Sequence, residues 1–124
     1  MVNKNGFDPE LFFSALADRT RLRLLNLMRG GEVCVCFFAE TLGTNNPKIS
    51  RHLSYLKRAD LVIGRREGKW MHYRINEPSD KQAVEVFTAT MKLLETDEQM
   101  RSDLKQLDKV VCFQDAPVTI QRRN

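Results

Sequence analysis

Residues 44–75 constrain the fold of this chain more than any other segment. The Thr-Asn-Asn-Pro stretch at 44–47 supplies a turn, an N-cap and a proline suited to a first helical turn, which predicts a helix over 48–59. A basic β-hairpin is predicted next, with strands over 61–66 and 70–75 and a Glu-Gly-Lys turn between them. A helix followed at once by such a hairpin is the order of a winged helix.

The helix predicted over 48–59 has two different faces. At about 100° per residue, Ile49, Leu53 and Leu56 fall on one narrow apolar stripe. The opposite face carries long donors and hydroxyls, from Lys48, Arg51, Ser54, Tyr55 and Arg58. This division is typical of a helix that packs on one side and enters the major groove of DNA with the other.

Positive charge is concentrated in the same segment. Residues 44–75 carry a net charge of +6, whereas the rest of the chain sums to −2. Such a stripe is typical of a surface that contacts phosphates, although a merely solvated basic face gives the same count. Charge therefore favours double-stranded DNA as a partner.

The rest of the sequence predicts further helices. Asp8 caps a first helix, Asp18 caps a second that should be the most buried element, and residues 33–42 predict a third. Residues 79–113 predict two helices, or one helix broken near Thr96 and Asp97, because their two apolar stripes are out of phase.

The predicted fold is mostly α with a β-hairpin wing (α+β). We expect one winged helix-turn-helix domain over residues 1–124, with its core at 8–94 and a loose polar tail at 114–124. A chain of 124 residues with 42% apolar content buries a modest core. The first helix and the dimerisation helices of 79–113 are expected to offer an apolar surface to a second subunit, which predicts a homodimer.

Cys34-Val35-Cys36 places two thiols one residue apart, shortly before the predicted recognition helix. Thiolates bind soft and borderline ions, so this pair is a candidate metal or metalloid site. Cys112 is the third cysteine, and an odd number favours free thiols in a reducing compartment over a structural disulfide. The alternative is that all three pack as small hydrophobes.

Several function classes are disfavoured by what the sequence lacks. No run of 18 apolar residues exists and the first ten residues lack the apolar core of a secretory signal, so we expect a cytoplasmic protein without membrane contact. No phosphate-binding loop and no nucleophile with a base and an orienting group are present. We therefore do not expect an enzyme.

Four ordered stretches carry a resemblance to a known family. They are Ala-Asp-Arg-Thr-Arg-Leu at 17–22, Glu-Val-Cys-Val-Cys at 32–36, Pro-Lys-Ile-Ser-Arg-His-Leu at 47–53 and Gly-Lys-Trp-Met-His-Tyr-Arg at 68–74. Together they resemble the ArsR/SmtB family of metal-responsive repressors, and closely its arsenical-responsive branch. The resemblance implies a homodimeric winged helix that binds an inverted-repeat operator and releases it when As(III) or Sb(III), as inducer, binds thiolates. It implies no permanent cofactor.

The family's DNA-contacting positions match two groups of residues in this chain. The start of the recognition helix corresponds to Lys48, Ser50, Arg51 and His52, with Tyr55 placed to join them, and the wing corresponds to Arg65, Arg66 and Lys69. The wing residues are expected to contact phosphates, which position the dimer without reading sequence. His52 lies close to the apolar stripe, so a packing role is an equal alternative for it.

The resemblance also limits which kind of sensing site this chain can form. Some relatives build a zinc site from histidines and carboxylates in their last helices, but the only histidines here are His52 and His72, within the DNA-reading region. Cadmium- and lead-sensing relatives add N-terminal cysteines, and residues 1–13 contain none. At most three sulfurs remain, which suits As(III) or Sb(III), whereas a structural zinc usually takes four ligands.

The third ligand is the open question. Several arsenical repressors have a cysteine three positions after the Cys-x-Cys pair, where this chain has Ala39. Cys112 could complete the site from its own or the partner subunit, or could simply pack. Binding by Cys34 and Cys36 with an exogenous thiol or hydroxide is the other alternative.

The spacing of the pair also predicts a mechanism. Residues i and i+2 lie about 200° apart on a helix but share a face on a strand. Because the predicted third helix contains Cys34 and Cys36, both sulfurs can bind one ion only if the start of that helix unwinds. The metalloid would then favour the unwound state and DNA the wound one.

Three alternatives stay open. Cysteines near Arg or a helix N-terminus can sense oxidants, which would give a redox-sensing repressor of the same fold. A repressor that responds to another soft metal ion is the second alternative. A constitutive DNA-binding or dimerisation module is the third.

Overall fold

Helices and a small antiparallel sheet make up the chain. The computed structural model describes the backbone of residues 2–113 and the side chains of residues 2–111. The elements, in chain order, are α1 (Pro9–Leu16), α2 (Arg19–Leu27), β1 (Val33–Cys34), α3 (Val35–Leu42), α4 (Asn46–Arg58), β2 (Val62–Glu67), β3 (Trp70–Ile75), α5 (Lys81–Leu94) and α6 (Glu98–Phe113). Within this part of the chain no helix is long and apolar enough to cross a membrane.

Side chains predicted to cap helices do so. Asp8, Asp18 and Asn45 each accept a hydrogen bond from a backbone N–H in the first turn of α1, α2 and α4. Asp80 caps α5 in the same way. These local contacts fix where the helices begin, and the predicted first, second and recognition helices are confirmed.

The core lies between α2, α3 and α4. The predicted stripe of α4 is confirmed, since Ile49, Leu53 and Leu56 are each 0% exposed. Leu24 and Leu25 of α2 are also 0% exposed, in agreement with the prediction that this helix is central. The exposed face of α4 is consequently turned away from the core.

The predicted third helix over 33–42 is wrong at its first two residues. Val33 and Cys34 form the short strand β1, and α3 begins only at Val35. The cause is long-range, because β1 pairs antiparallel with β3, Val33 opposite Tyr73 and Cys34 opposite His72. The sheet order is β1-β3-β2, so the predicted hairpin β2–β3 gains a third strand from the cysteine segment.

The two predicted C-terminal helices are present, but α6 packs differently from the expectation. Its apolar residues Met100 and Leu107 are 1% and 0% exposed, and the helix packs against α2 and α3 of the same chain. Its stripe is thereby largely covered within the protomer, with Leu104 and Val111 half-buried. The predicted tail at 114–124 lies outside the described residues.

Exposed apolar side chains remain on α1 and α5. Phe13 is 55% exposed, Val86 is 37% exposed and Leu93 is 69% exposed. Val86 and Leu93 are seven residues apart on α5 and so share a face. We refer to Phe13, Val86 and Leu93 as the α1/α5 apolar surface.

Candidate thiol sensor and nucleic-acid interface

The two cysteine sulfurs lie together at the junction of β1 and α3. Cys34 is the extended N-cap of α3, with φ −71° and ψ 141°, and Cys36 lies in the first helical turn. Their Sγ atoms are 3.2 Å apart, with Cys34 buried and Cys36 half-buried. The prediction that the third helix must unwind to bring the sulfurs together is therefore wrong, because the change from strand to helix between them already does so.

The environment of Cys36 disfavours its thiolate form. Burial, together with the hydrogen bond and charge of Cys34, raises the pKa of Cys36 to about 12, and the backbone N–H groups of Cys36 and Phe37 offset this only in part. The two sulfurs are therefore not both thiolates at neutral pH. A pair of thiols can displace two hydroxyls from a trivalent metalloid hydroxide, with two S–metalloid bonds formed and two waters released.

The pair has no preformed third ligand among the described side chains. Within residues 2–111 no group of three or more His, Cys, Asp or Glu side chains is arranged to hold a metal ion. His72 lies opposite Cys34 in the sheet but does not complete such a group. Cys112 belongs to α6, which packs against α3, while its side chain lies outside the described part. Its role as a ligand stays a prediction.

A charged cluster joins the cysteine segment to the wing. The Glu32 carboxylate accepts two hydrogen bonds from Arg65, from Nε to Oε2 at 2.9 Å and from Nη2 to Oε1 at 2.6 Å. This contact holds the pKa of Glu32 below its usual range and raises the pKa of Arg65. His72 is 0% exposed beside them, with Nε2 3.3 Å from a Glu67 oxygen, and neither of its ring nitrogens makes a hydrogen bond to a described residue.

The predicted DNA-contacting residues of α4 divide into two sets. Lys48, Ser50 and Arg51 are exposed at its N-terminal end. His52 and Tyr55 are half-buried, and Nδ1 of His52 lies 3.4 Å from Arg21 Nη1. The first set is free to enter a groove, whereas His52 and Tyr55 face the packed side as well.

Arg21 is a residue whose role the sequence did not reveal. Its guanidinium lies 4.0 Å from the centre of the Tyr55 ring, and it donates to the carbonyls of Ser14 and Ala15 at the end of α1. Arg58 lies 4.9 Å from the same ring, on α4 itself. Arg21 therefore ties α4 to α1. Its only signal was membership of the Asp-Arg-Thr-Arg stretch, which gave no hint of stacking.

The wing also divides into two sets. Arg66 and Lys69 are exposed, and Lys69 Nζ lies 5.1 Å from the centre of the Trp70 ring. Arg65 forms an ion pair with the buried Glu32, and its Nη2 lies 3.4 Å from Oε1 of Glu67. Arg66 and Lys69 are thus the wing cations of the predicted set that are best placed for phosphate contact.

The order of elements defines the class of the protein. Helices α3 and α4, joined through a left-handed Gly43, form a helix-turn-helix, and the β2–β3 hairpin follows as the wing. The chain is therefore a winged helix-turn-helix protein.

A family profile described as "Bacterial regulatory protein, arsR family" matches residues 18–63. The arsenic resistance transcriptional regulator ArsR2 of Pseudomonas putida is 36% identical over 85 residues, 68% of this chain and 74% of that protein. The chain belongs to this arsR family of regulatory proteins.

Two other relatives carry names related to arsenic. The arsenical resistance operon repressor of Escherichia coli is 45% identical over 69 residues, 55% of this chain and 59% of that protein. The arsenic resistance transcriptional regulator ArsR1 of Pseudomonas putida is 45% identical over 69 residues, 55% of this chain and 54% of that protein. The chain thus spans little more than half the length of these two relatives.

Two solved structures resemble this fold. The AntR antimony-specific transcriptional repressor matches with a TM-score of 0.55 and 33% identity, over 73% of this chain and 79% of that one. A homodimeric winged helix-turn-helix DNA-binding domain from Mycobacterium bovis matches with a TM-score of 0.57 and 31% identity, over 69% of this chain and 77% of that one. The match to the Mycobacterium bovis domain confirms the winged helix-turn-helix assignment.

Proposed function

We propose that this protein is a transcriptional repressor that binds an inverted-repeat DNA operator as a homodimer and dissociates when As(III) or Sb(III) binds Cys34 and Cys36. Cys112 is the proposed third ligand. We propose no catalytic activity for the protein. The inducer is a transient ligand rather than a permanent cofactor.

The contact between the two sulfurs carries the proposal. The Sγ atoms of Cys34 and Cys36 lie 3.2 Å apart at the start of the helix-turn-helix, so a ligand bound to both acts on the start of α3. Two bonds of about 2.3 Å from one centre, at an angle of about 90–110°, separate their sulfurs by about 3.3–3.8 Å. A separation of 3.2 Å is therefore short enough for one thiophilic ion to bind both sulfurs.

The names of relatives support a thiophilic inducer and leave its identity to experiment. Arsenic appears in the names of the Pseudomonas putida and Escherichia coli relatives, and antimony in that of the AntR repressor. Other matches are named for mercury and cadmium resistance. A response to another soft ion is therefore the nearest alternative.

A redox-sensing repressor is the second candidate, and the sulfur contact is the observation that favours it. Two free thiols at 3.2 Å are close enough to react with each other after oxidation. A raised pKa of Cys36 disfavours oxidation and metal binding alike, because the thiolate is the reactive form in both cases. We rank the metalloid first because the names of matched relatives include arsenic and antimony.

A titration of the protein on DNA from its own upstream region tests the proposal. Operator binding by fluorescence anisotropy would be followed as As(III), Sb(III), Cd(II), Zn(II) or hydrogen peroxide is added. The variants are Cys34→Ser, Cys36→Ser and Cys112→Ser, and operator affinity without inducer serves as the fold control for each.

We expect Cys34→Ser and Cys36→Ser to bind the operator and to remain bound at concentrations of As(III) that release the wild type. Cys112→Ser should need roughly tenfold more As(III), since it retains two of three sulfurs. Release of both single variants at the wild-type As(III) concentration would refute the proposal. Release by peroxide but not by As(III) would select the redox candidate.

A further inference from the structure

Glu32 is a buried carboxylate that is hydrogen-bonded to one residue of the wing, with His72 Nδ1 3.9 Å from its Oε1. Its side chain is 6% exposed, and both of its oxygens accept hydrogen bonds from Arg65, which is 45% exposed. A two-point contact between carboxylate and guanidinium fixes orientation as well as distance. The pair therefore joins the segment before β1 to the middle of β2.

The same pair lies beside the cysteine site. Glu32 precedes Cys34 by two residues, Cys34 lies opposite His72 in the sheet, and His72 lies opposite Arg65. Directly opposed residues of an antiparallel sheet project to the same face. Cys34, His72 and Arg65 thus form one row across the three strands. Glu32 is two residues from Cys34 in the chain and hydrogen-bonds Arg65, so it links the two ends of this row.

Arg65 cannot easily leave Glu32 for a DNA phosphate. Removal of the guanidinium would leave a buried carboxylate without its partner, which is strongly unfavourable. Nε and Nη2 of Arg65 contact Glu32, whereas Nη1 takes no part in these hydrogen bonds. A phosphate can therefore be contacted by Nη1 while the pair with Glu32 stays intact.

We propose that Glu32 is a positioning residue that couples the cysteine pair to the wing: it holds Arg65 in its DNA-binding orientation and carries a displacement of Cys34 to β2. The inference rests on the proposed function and adds the route by which inducer binding reaches the wing. Inducer bound to both sulfurs displaces Cys34 in β1, and the two-point Glu32–Arg65 contact carries this shift to β2. Loss of the pair should weaken this coupling more than it weakens DNA binding.

The test separates coupling from affinity. Operator affinity would be measured without As(III) and at saturating As(III), and their ratio is the coupling factor. As(III) binding to the DNA-free protein would be measured in parallel by ultraviolet absorbance of the sulfur–arsenic bonds. The variants are Glu32→Gln, Arg65→Gln and the double variant, with Arg66→Gln as the matched control, because it removes the same charge from the neighbouring position of β2.

We expect Glu32→Gln and Arg65→Gln each to bind As(III) normally and to lose roughly 3- to 30-fold of the coupling factor. The double variant should lose no more than either single variant, since the pair acts as one unit. Arg66→Gln should weaken operator binding while it keeps the wild-type coupling factor.

The outcomes distinguish failure of the role given to Glu32 from failure of the proposed function. Full coupling in Glu32→Gln and Arg65→Gln, with normal release of the wild type, would overturn the role of Glu32 alone. An equal loss of coupling in Arg66→Gln would overturn it as well, because the effect would then follow wing charge. Absence of As(III) binding or release in the wild type would overturn the proposed function and, with it, this inference.

Discussion

Arg23 of α2 and Asp103 of α6 form a partly buried, two-point ion pair. Nε and Nη2 of Arg23 donate to the two carboxylate oxygens of Asp103 at 2.7 and 2.9 Å, and the Asp103 side chain is only 4% exposed. Gln99 donates to the same carboxylate at 2.9 Å. This contact docks the helix that carries Cys112 onto the centre of the protomer.

Asp103→Ala should therefore destabilise the fold. It leaves the partly buried Arg23 guanidinium without its main partner, for a loss of about 2–4 kcal/mol in the free energy of unfolding. Urea unfolding followed by circular dichroism measures the change. Gln106→Ala, at an exposed position of the same helix, is the control and should change the free energy by less than about 0.5 kcal/mol. Equal effects of the two variants would show that the ion pair contributes no specific stability.

Stability should also depend on pH through the helix cap Asp80. The backbone N–H of Ala83, with the side-chain amides of Asn5 and Asn3, holds the pKa of Asp80 below its usual range. A lowered pKa in the folded state means that the stabilisation is complete above the unfolded pKa, about 3.9, and is lost as pH falls through the folded pKa. The wild type should thus lose more stability on acidification than Asp80→Asn, which keeps a capping side chain without the charge.

Urea unfolding at a series of pH values from neutral to about pH 2.5 measures this difference. Asp97→Asn offers a comparison at a second cap, because the backbone N–H of Met100 likewise lowers the pKa of Asp97. Parallel stability curves for the wild type and Asp80→Asn would contradict the prediction.

Dimer formation should depend on the α1/α5 apolar surface. Phe13 is 55% exposed, and the stripe of α6 is already used inside the protomer, so α1 and α5 are the helices left with exposed apolar side chains among the described residues. Phe13→Glu should raise the dimer dissociation constant by roughly tenfold or more, because a charge would be buried at the contact. Sedimentation velocity measures the change. Ile63→Glu, at a 40% exposed position on the wing, is the control and should leave the dimer intact.

The sequence predicted what depends on local chemistry. Capping side chains, the apolar stripe of α4 and the alternation of β3 all act between residues close in the chain, so the helices and the hairpin were predictable. The winged helix-turn-helix class followed from their order. The cysteine pair was found in the same way, because only one residue separates Cys34 from Cys36 in the sequence.

Contacts between distant residues were not predictable in this way. β1 is two residues long, too short for an alternating pattern, and exists only because β3 pairs with it. This one strand removes the expected need for the third helix to unwind, since it places Cys34 on a strand and Cys36 on a helix. Glu32 and Arg65 are 33 positions apart, and only the register of the sheet brings them together.

Removing a cation from the recognition helix should change DNA affinity differently from removing one from the wing. Lys48 and Arg51 project from the exposed face of α4, where side chains reach base edges, whereas Arg66 lies on the wing, where phosphates are expected. Arg51→Ala and Lys48→Ala should each cost about 1–3 kcal/mol on the operator and less on unrelated DNA. Arg66→Ala should weaken binding to both DNAs to a similar extent.

Salt dependence provides the second measurement for this prediction. Arg66→Ala should lower the slope of the logarithm of affinity against the logarithm of salt concentration by about one, the loss of one phosphate contact. Lys105→Ala removes the same charge at an exposed position of α6, outside the basic segment, and should change neither affinity nor slope. If Arg51→Ala weakened operator and unrelated DNA equally, Arg51 would be a phosphate contact and α4 would read sequence through its other residues.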